Sequence, residues 1–115
     1  MATHDIKAEL NFLPQSAQKV RLVIDTVRGL GAIEALENLR FVNKSAGEPV
    51  LKLLKSAVAN AEENFGVSRD DLYVAKITAD EAPTRKWRRF GARGRFKPIL
   101  RRSSHVSVIL RERGV

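Results

Sequence analysis

Ala82-Pro83-Thr84-Arg85-Lys86-Trp87-Arg88-Arg89-Phe90-Gly91-Ala92-Arg93-Gly94-Arg95-Phe96-Lys97-Pro98-Ile99-Leu100-Arg101-Arg102-Ser103 is the stretch around which the rest of the chain arranges itself. Nine of the eighteen residues from Arg85 to Arg102 are basic and none is acidic. A segment this charged does not enter a core, because each buried unpaired charge costs several kcal/mol. Gly91 and Gly94 place a turn near its middle. On either side lie runs with a period of two: Leu72 to Ala79, with Tyr73, Ala75, Ile77 and Ala79 on one face, and Ser104 to Arg111, with Val106, Val108 and Leu110 on one face. Two strands joined through a glycine-containing turn predict one long hairpin. Its arm from Ala82 to the turn reaches on the order of 30 Å at strand rise.

Working outward, Ile6, Ala8, Leu10 and Phe12 alternate with Lys7, Glu9 and Asn11, a further half-buried strand that Pro14 ends. Ser16 is placed to cap a helix running to about Arg28. Val20, Val23, Ile24 and Val27 fall on one stripe of that helix, and Gly29 and Gly31 stop it. A short helix from Ala32 to about Arg40 turns Ile33, Leu36 and Leu39 inward. After Asn43-Lys44, Ser45 and Glu48 have the spacing of a capping box. They open a long helix to about Phe65, with Val50, Leu54, Ala57, Val58, Ala61 and Phe65 buried and Gly66 at its end. The small residues Ala57, Ala59 and Ala61 permit close packing against a neighbour. The order predicts an α+β fold of three helices on a small three-stranded antiparallel sheet, with a protruding basic β-hairpin. At 115 residues this is a single domain, 1–115, whose extension covers about 82–103.

Charge divides the same way. Residues 1–83 hold ten Lys/Arg and twelve Asp/Glu, whereas residues 84–115 hold eleven Lys/Arg and only Glu112 as an acid. The net charge of +8 is therefore carried by one segment, the pattern of an arm that binds a polyanion. Arginine outnumbers lysine by seven to two in residues 85–102. Arginine offers a planar fork to phosphate and stacks on bases. Trp87, Phe90 and Phe96 are threaded among the charges, as unpaired bases require of a stacking surface. The bland alternative is a solvated loop, but ordinary solvated faces mix charge signs. Composition does not separate RNA from DNA. A second candidate surface is the first helix start, where Ser16, Gln18, Lys19 and Arg21 cluster at an N-terminus suited to a phosphate. A merely exposed, capped helix end remains the alternative reading there.

Other classes are disfavoured. With no cysteine, disulfides and cysteine-based zinc sites are excluded. His4 and His105 lack a carboxylate cluster, so neither metal nor cofactor is expected. His105, beside Ser103-Ser104, is assigned to a hydrogen bond in the sheet or to a phosphate. Nothing sets a nucleophile beside a base, and no active site is expected. The start at Met1-Ala2-Thr3-His4-Asp5 lacks a signal pattern, and no apolar run approaches ~18 residues, so no membrane association is expected.

The runs Ser16-Ala17-Gln18-Lys19-Val20-Arg21-Leu22-Val23, Asn43-Lys44, Ser56-Ala57-Val58-Ala59-Asn60-Ala61-Glu62-Glu63-Asn64, Asp80-Glu81-Ala82-Pro83, Ala92-Arg93-Gly94-Arg95 and Arg102-Ser103-Ser104-His105-Val106 resemble the family of bacterial large-subunit ribosomal protein twenty-two. They occur in the family's order and spacing over nearly the whole chain. The resemblance implies a structural constituent of the cytoplasmic ribosome that binds large-subunit (23S) rRNA early in assembly. It also implies neighbouring ribosomal proteins as partners, a hairpin lining the exit tunnel and the nascent polypeptide at its tip, Trp87, Arg88, Arg89, Phe90 and Gly91. A monomer off the ribosome is expected. The RNA-binding set is then Ser16, Gln18, Lys19, Arg21 and Lys44 on the body, and Arg85, Lys86, Arg88, Arg89, Arg93, Arg95, Lys97, Arg101, Arg102 and His105 on the arm and its root. Phe90-Gly91 stands where the family usually has Pro-Arg, and Pro98 where it has a basic residue, so tip chemistry is not carried over at these positions. An architectural DNA-binding protein with a basic β-ribbon in the minor groove is the rival reading.

Overall fold

The structure is a computed structural model and describes residues 5–42, 46–83, 85–90 and 96–113. Five strands and three helices follow one another as β1 (Ile6–Leu13), α1 (Ala17–Ile24), α2 (Ala32–Arg40), α3 (Gly47–Asn64), β2 (Leu72–Glu81), β3 (Arg85–Phe90), β4 (Phe96–Arg101) and β5 (Ser104–Glu112), with one 3-10 turn at Arg69–Asp71. β1, β5 and β2 form an antiparallel sheet in that order, so the last strand is the central one. β3 and β4 form a separate antiparallel ribbon. The α+β fold, its three helices and its three-stranded sheet agree with the sequence reading.

One face of the sheet carries Ile6, Leu72, Val74, Ile77, Ala79, Val106, Val108 and Leu110, all buried, and the helices cover it. α1 contributes the expected stripe of Val20, Val23, Ile24 and Val27. α3 contributes Val50, Leu53, Leu54, Ala57, Val58 and Ala61, while Phe65 at its C-cap is 42 % exposed and Ala59 faces outward. α2 is rotated from expectation. Ala32, Ala35 and Leu39 are buried and Ile33 and Leu36 are only half-buried. Each fully buried Val, Leu or Ile contributes about 1.5–3 kcal/mol against the unfolded chain's conformational entropy.

Helix ends follow backbone chemistry more than side-chain caps. Ser16 is the N-cap of α1 in extended conformation, but its side chain makes no capping hydrogen bond. The regular helix stops at Ile24, earlier than expected, and relaxes into turns that end at Gly29, φ 81°. The N-cap of α3 is Ala46, which makes no side-chain cap, and Ser45 of the expected capping box lies outside the described residues. Pro49 then falls at the third helical position, where its missing N–H has no intrahelical partner to lose. Gly66, φ 66°, ends that region in a conformation a side chain disfavours.

Two bulges change which residues face the core. On β2, Val74 pairs with Leu110 and Lys76 with Ile109, leaving Ala75 as the extra residue. The phase shifts there, so Leu72 and Val74 are buried where Tyr73 and Ala75 were expected. On β1, Leu10 pairs with Val106 and Leu13 with Ser104, three steps against two. Leu13 becomes the buried residue and Phe12 is turned out.

The outer edge of β2 is occupied by α1 and the turn after it. Gly29 N–H donates to the Val74 carbonyl at 3.2 Å, and Val74 N–H donates to that of Leu30 at 2.8 Å. Arg28 Nη2 donates to the Ile77 carbonyl at 2.9 Å and Arg21 Nε to that of Ala79 at 3.0 Å. These arginines protect the edge from pairing with another chain. Arg28→Ala is expected to cost about 1 kcal/mol, the net worth of a part-buried hydrogen bond, in urea unfolding. Lysine at 28 is expected to recover little, having no planar fork. Across the sheet, Arg111 Nε donates to Asp5 Oδ1 at 2.6 Å and its Nη2 to Oδ2 at 3.3 Å, fastening the entry to β1 to the end of β5. That hydrogen bond holds the Asp5 carboxyl below the usual carboxylate range. Its contribution is therefore present above the unfolded value near 3.9 and is lost as pH falls through the lowered one.

Candidate nucleic-acid interface

The arm is a continuous ladder. Arg85 pairs with Arg101, Lys86 with Leu100, Trp87 with Ile99, Arg88 with Pro98, Arg89 with Lys97 and Phe90 with Phe96. Pro98 supplies no N–H, yet the register passes through it without a shift. Two of the six paired positions oppose like charges, Arg85 to Arg101 and Arg89 to Lys97. Such pairs destabilise an isolated ribbon. A two-stranded ribbon is already marginal in water, and these pairs weaken it further. The ribbon joins the body where Ala82 N–H donates to the Ser103 carbonyl at 3.0 Å. The radius of gyration is 17.4 Å, against about 13 Å for a compact chain of this length, and the longest extent is 66 Å.

The second surface lies at the root of that arm. Leu13 pairs with Ser104, and Arg21 reaches Ala79, so the start of α1 sits at the end of the sheet from which β2 and β5 lead into the ribbon. Gln18, Lys19 and Arg21 are exposed there, and Ser16 is half-buried. Ser16 leaves the first-turn amides without a side-chain cap, and no acid stands in that turn. The macrodipole and Lys19 thus act together toward an anion. Arg21 has a second task in its Ala79 contact, which its sequence position did not reveal. Arg102 is exposed at the same end. His105 is half-buried, and its Nδ1 accepts the Phe12 N–H at 3.1 Å, so it has the in-sheet hydrogen bond that was one of its two expected roles. Of the remaining expected residues, Lys44, Gly91, Arg93 and Arg95 lie outside the described residues, as do His4 and the turn near 91–94. Arg85, Lys86, Trp87, Arg88, Arg89, Phe90, Lys97 and Arg101 are placed by backbone register alone. Phe12 at the root was not singled out, because strand alternation put it in the core.

Residues 8–111 match the family of ribosomal protein L22p/L17e. The chain belongs to that family. Membership makes it a structural protein of the large ribosomal subunit, with a place in translation and in the cytoplasmic ribosome. It brings ribosomal RNA and other ribosomal components as the partner class. The family is a structural one. Among the described residues no group of three or more His, Cys, Asp or Glu is placed to hold a metal, and no helix is long and apolar enough to cross a membrane.

Proposed function

We propose that this ribosomal protein binds large-subunit (23S) rRNA directly through two surfaces, and by doing so supports assembly of the subunit without catalysing any reaction. The arm of about 82–103 is the first surface and the start of α1, with Ser16, Gln18, Lys19, Arg21 and Lys44, is the second. Residues 1–115 form one RNA-binding domain in this reading. The observation that carries it is the like-charge register of the ribbon, Arg85 opposite Arg101 and Arg89 opposite Lys97. Phosphates inserted beside these pairs turn a repulsion into charge-assisted hydrogen bonds. The tip, residues 87–91, lines the exit tunnel and meets the nascent polypeptide, a reading supported by family membership and by the arm's reach. Off the ribosome the chain is a monomer in this reading, supported on the β2 side, where the edge is occupied and offers no strand for pairing.

Phosphate neutralisation has a direct signature. With five to eight phosphate contacts, the log–log slope of rRNA affinity against salt is expected to be on the order of −4 to −7. Changing Arg88, Arg89, Arg93 and Arg95 together to Gln is expected to flatten it. A slope unmoved by those changes, measured by filter binding, would place the contacts elsewhere.

A further inference from the structure

The end of β1 departs from its own pattern in a way the core does not require. Phe12 is 58 % exposed and adopts φ 57°, the left-handed region that bulky residues avoid. Leu13 fills the buried position beside it. Two contacts hold the turned-out residue. Its N–H donates to His105 Nδ1 at 3.1 Å, and its ring meets the imidazole edge-on, with centroids 4.6 Å apart and planes at 82°. Because Nδ1 accepts a hydrogen bond, the ring proton sits on Nε2. That N–H has no partner among the described residues. Arg102, exposed, precedes His105 by three residues and is the last residue of the basic run. Strained aromatic presentation, a spare donor and a neighbouring cationic arm thus meet at one place.

We infer that Phe12 and His105 form a platform for a single unpaired RNA base at the root of the arm. The base stacks on the open face of Phe12, and His105 Nε2–H donates to an oxygen or nitrogen of the same nucleotide. The contact is with a base and not a phosphate. Asp80 and Glu81 stand opposite His105 and Ser104 in the register, which disfavours an anion on that side, whereas a neutral base needs no counter-charge. RNA is favoured over an apolar protein segment because the platform continues into a segment of net charge +10, residues 84–115. This inference rests on the rRNA-binding reading above.

Full-length chains carrying Phe12→Gly, Phe12→Leu or Phe12→Trp separate the possibilities, titrated against deproteinised large-subunit rRNA with folding checked by circular dichroism. Glycine accepts φ 57° without strain, so its variant keeps the fold while losing the ring. Leucine keeps apolar bulk without an aromatic face. The Gly and Leu variants are expected to bind about five- to a hundredfold more weakly, and Trp within about threefold of the parent, given the known worth of base–aromatic stacking. Parent-like binding by the Gly variant overturns the platform, and parent-like binding by Leu alone replaces stacking with a plain apolar contact and overturns it too. Weakened binding by a folded Trp variant also contradicts it. If the parent chain itself fails to bind this RNA, the rRNA-binding reading falls, and the platform with it.

Discussion

A chain in which residues 85–102 are replaced by a short glycine-containing turn is expected to melt cooperatively and to lose tight rRNA binding. Among the described residues the buried side chains lie in 6–82 and 104–110, and the replacement leaves all of them in place. It also removes the like-charge pairs Arg85–Arg101 and Arg89–Lys97, which oppose folding when no anion is present. The midpoint is therefore expected to hold or rise slightly. RNA affinity is expected to fall on the order of a thousandfold at low salt, because most of the phosphate contacts go with the arm. What remains is the α1 start, a weak site with a shallow salt slope. Loss of the cooperative transition would make the arm part of the core. Undiminished affinity would move the main RNA surface onto the body.

The second large effect concerns stability alone. Leu110 is fully buried on the central strand β5, paired with Ile6 on one side and Val74 on the other. Leu110→Ala removes apolar surface and leaves a cavity bounded by both neighbouring strands, at an expected cost of about 2–5 kcal/mol. A single domain has only about 5–15 kcal/mol in all, so a shift of this size is unmistakable in urea unfolding. The folded fraction is expected to bind rRNA as the parent does, since Leu110 is remote from the arm. A cost below about 1 kcal/mol would contradict the central position of β5.

How far the sequence could be read depended on whether a feature is local. The stripe Val20, Val23, Ile24 and Val27 needs only the helical period, and all four are buried as expected. The hairpin needs only a charge run with a turn between two alternating segments, and the ribbon β3–β4 carries it. The bulges at Ala75 and between Leu10 and Leu13 are different. Each is set by pairing with β5, whose residues lie about 30 or more positions away, and a one-residue slip moves side chains to the other face. Hence Tyr73 and Phe12 were assigned to the wrong side. The same non-locality hid the second task of Arg21 and the clamp by Arg28, since both meet carbonyls of a distant edge strand. At the root, Ser16, Gln18 and Lys19 were legible as a cluster, but their place beside Arg102 and His105 depends on Leu13 meeting Ser104.

The central claim is direct contact with large-subunit rRNA, and one measurement meets it most squarely. The tagged protein is crosslinked in living cells, purified under denaturing conditions, and the attached nucleic acid is sequenced. The account predicts large-subunit rRNA as the dominant species, with crosslinks grouped in a few discrete regions because arm and α1 start touch separate segments. Recovery of scattered messenger RNA or of DNA, with large-subunit rRNA no more abundant than in an untagged control, would contradict it.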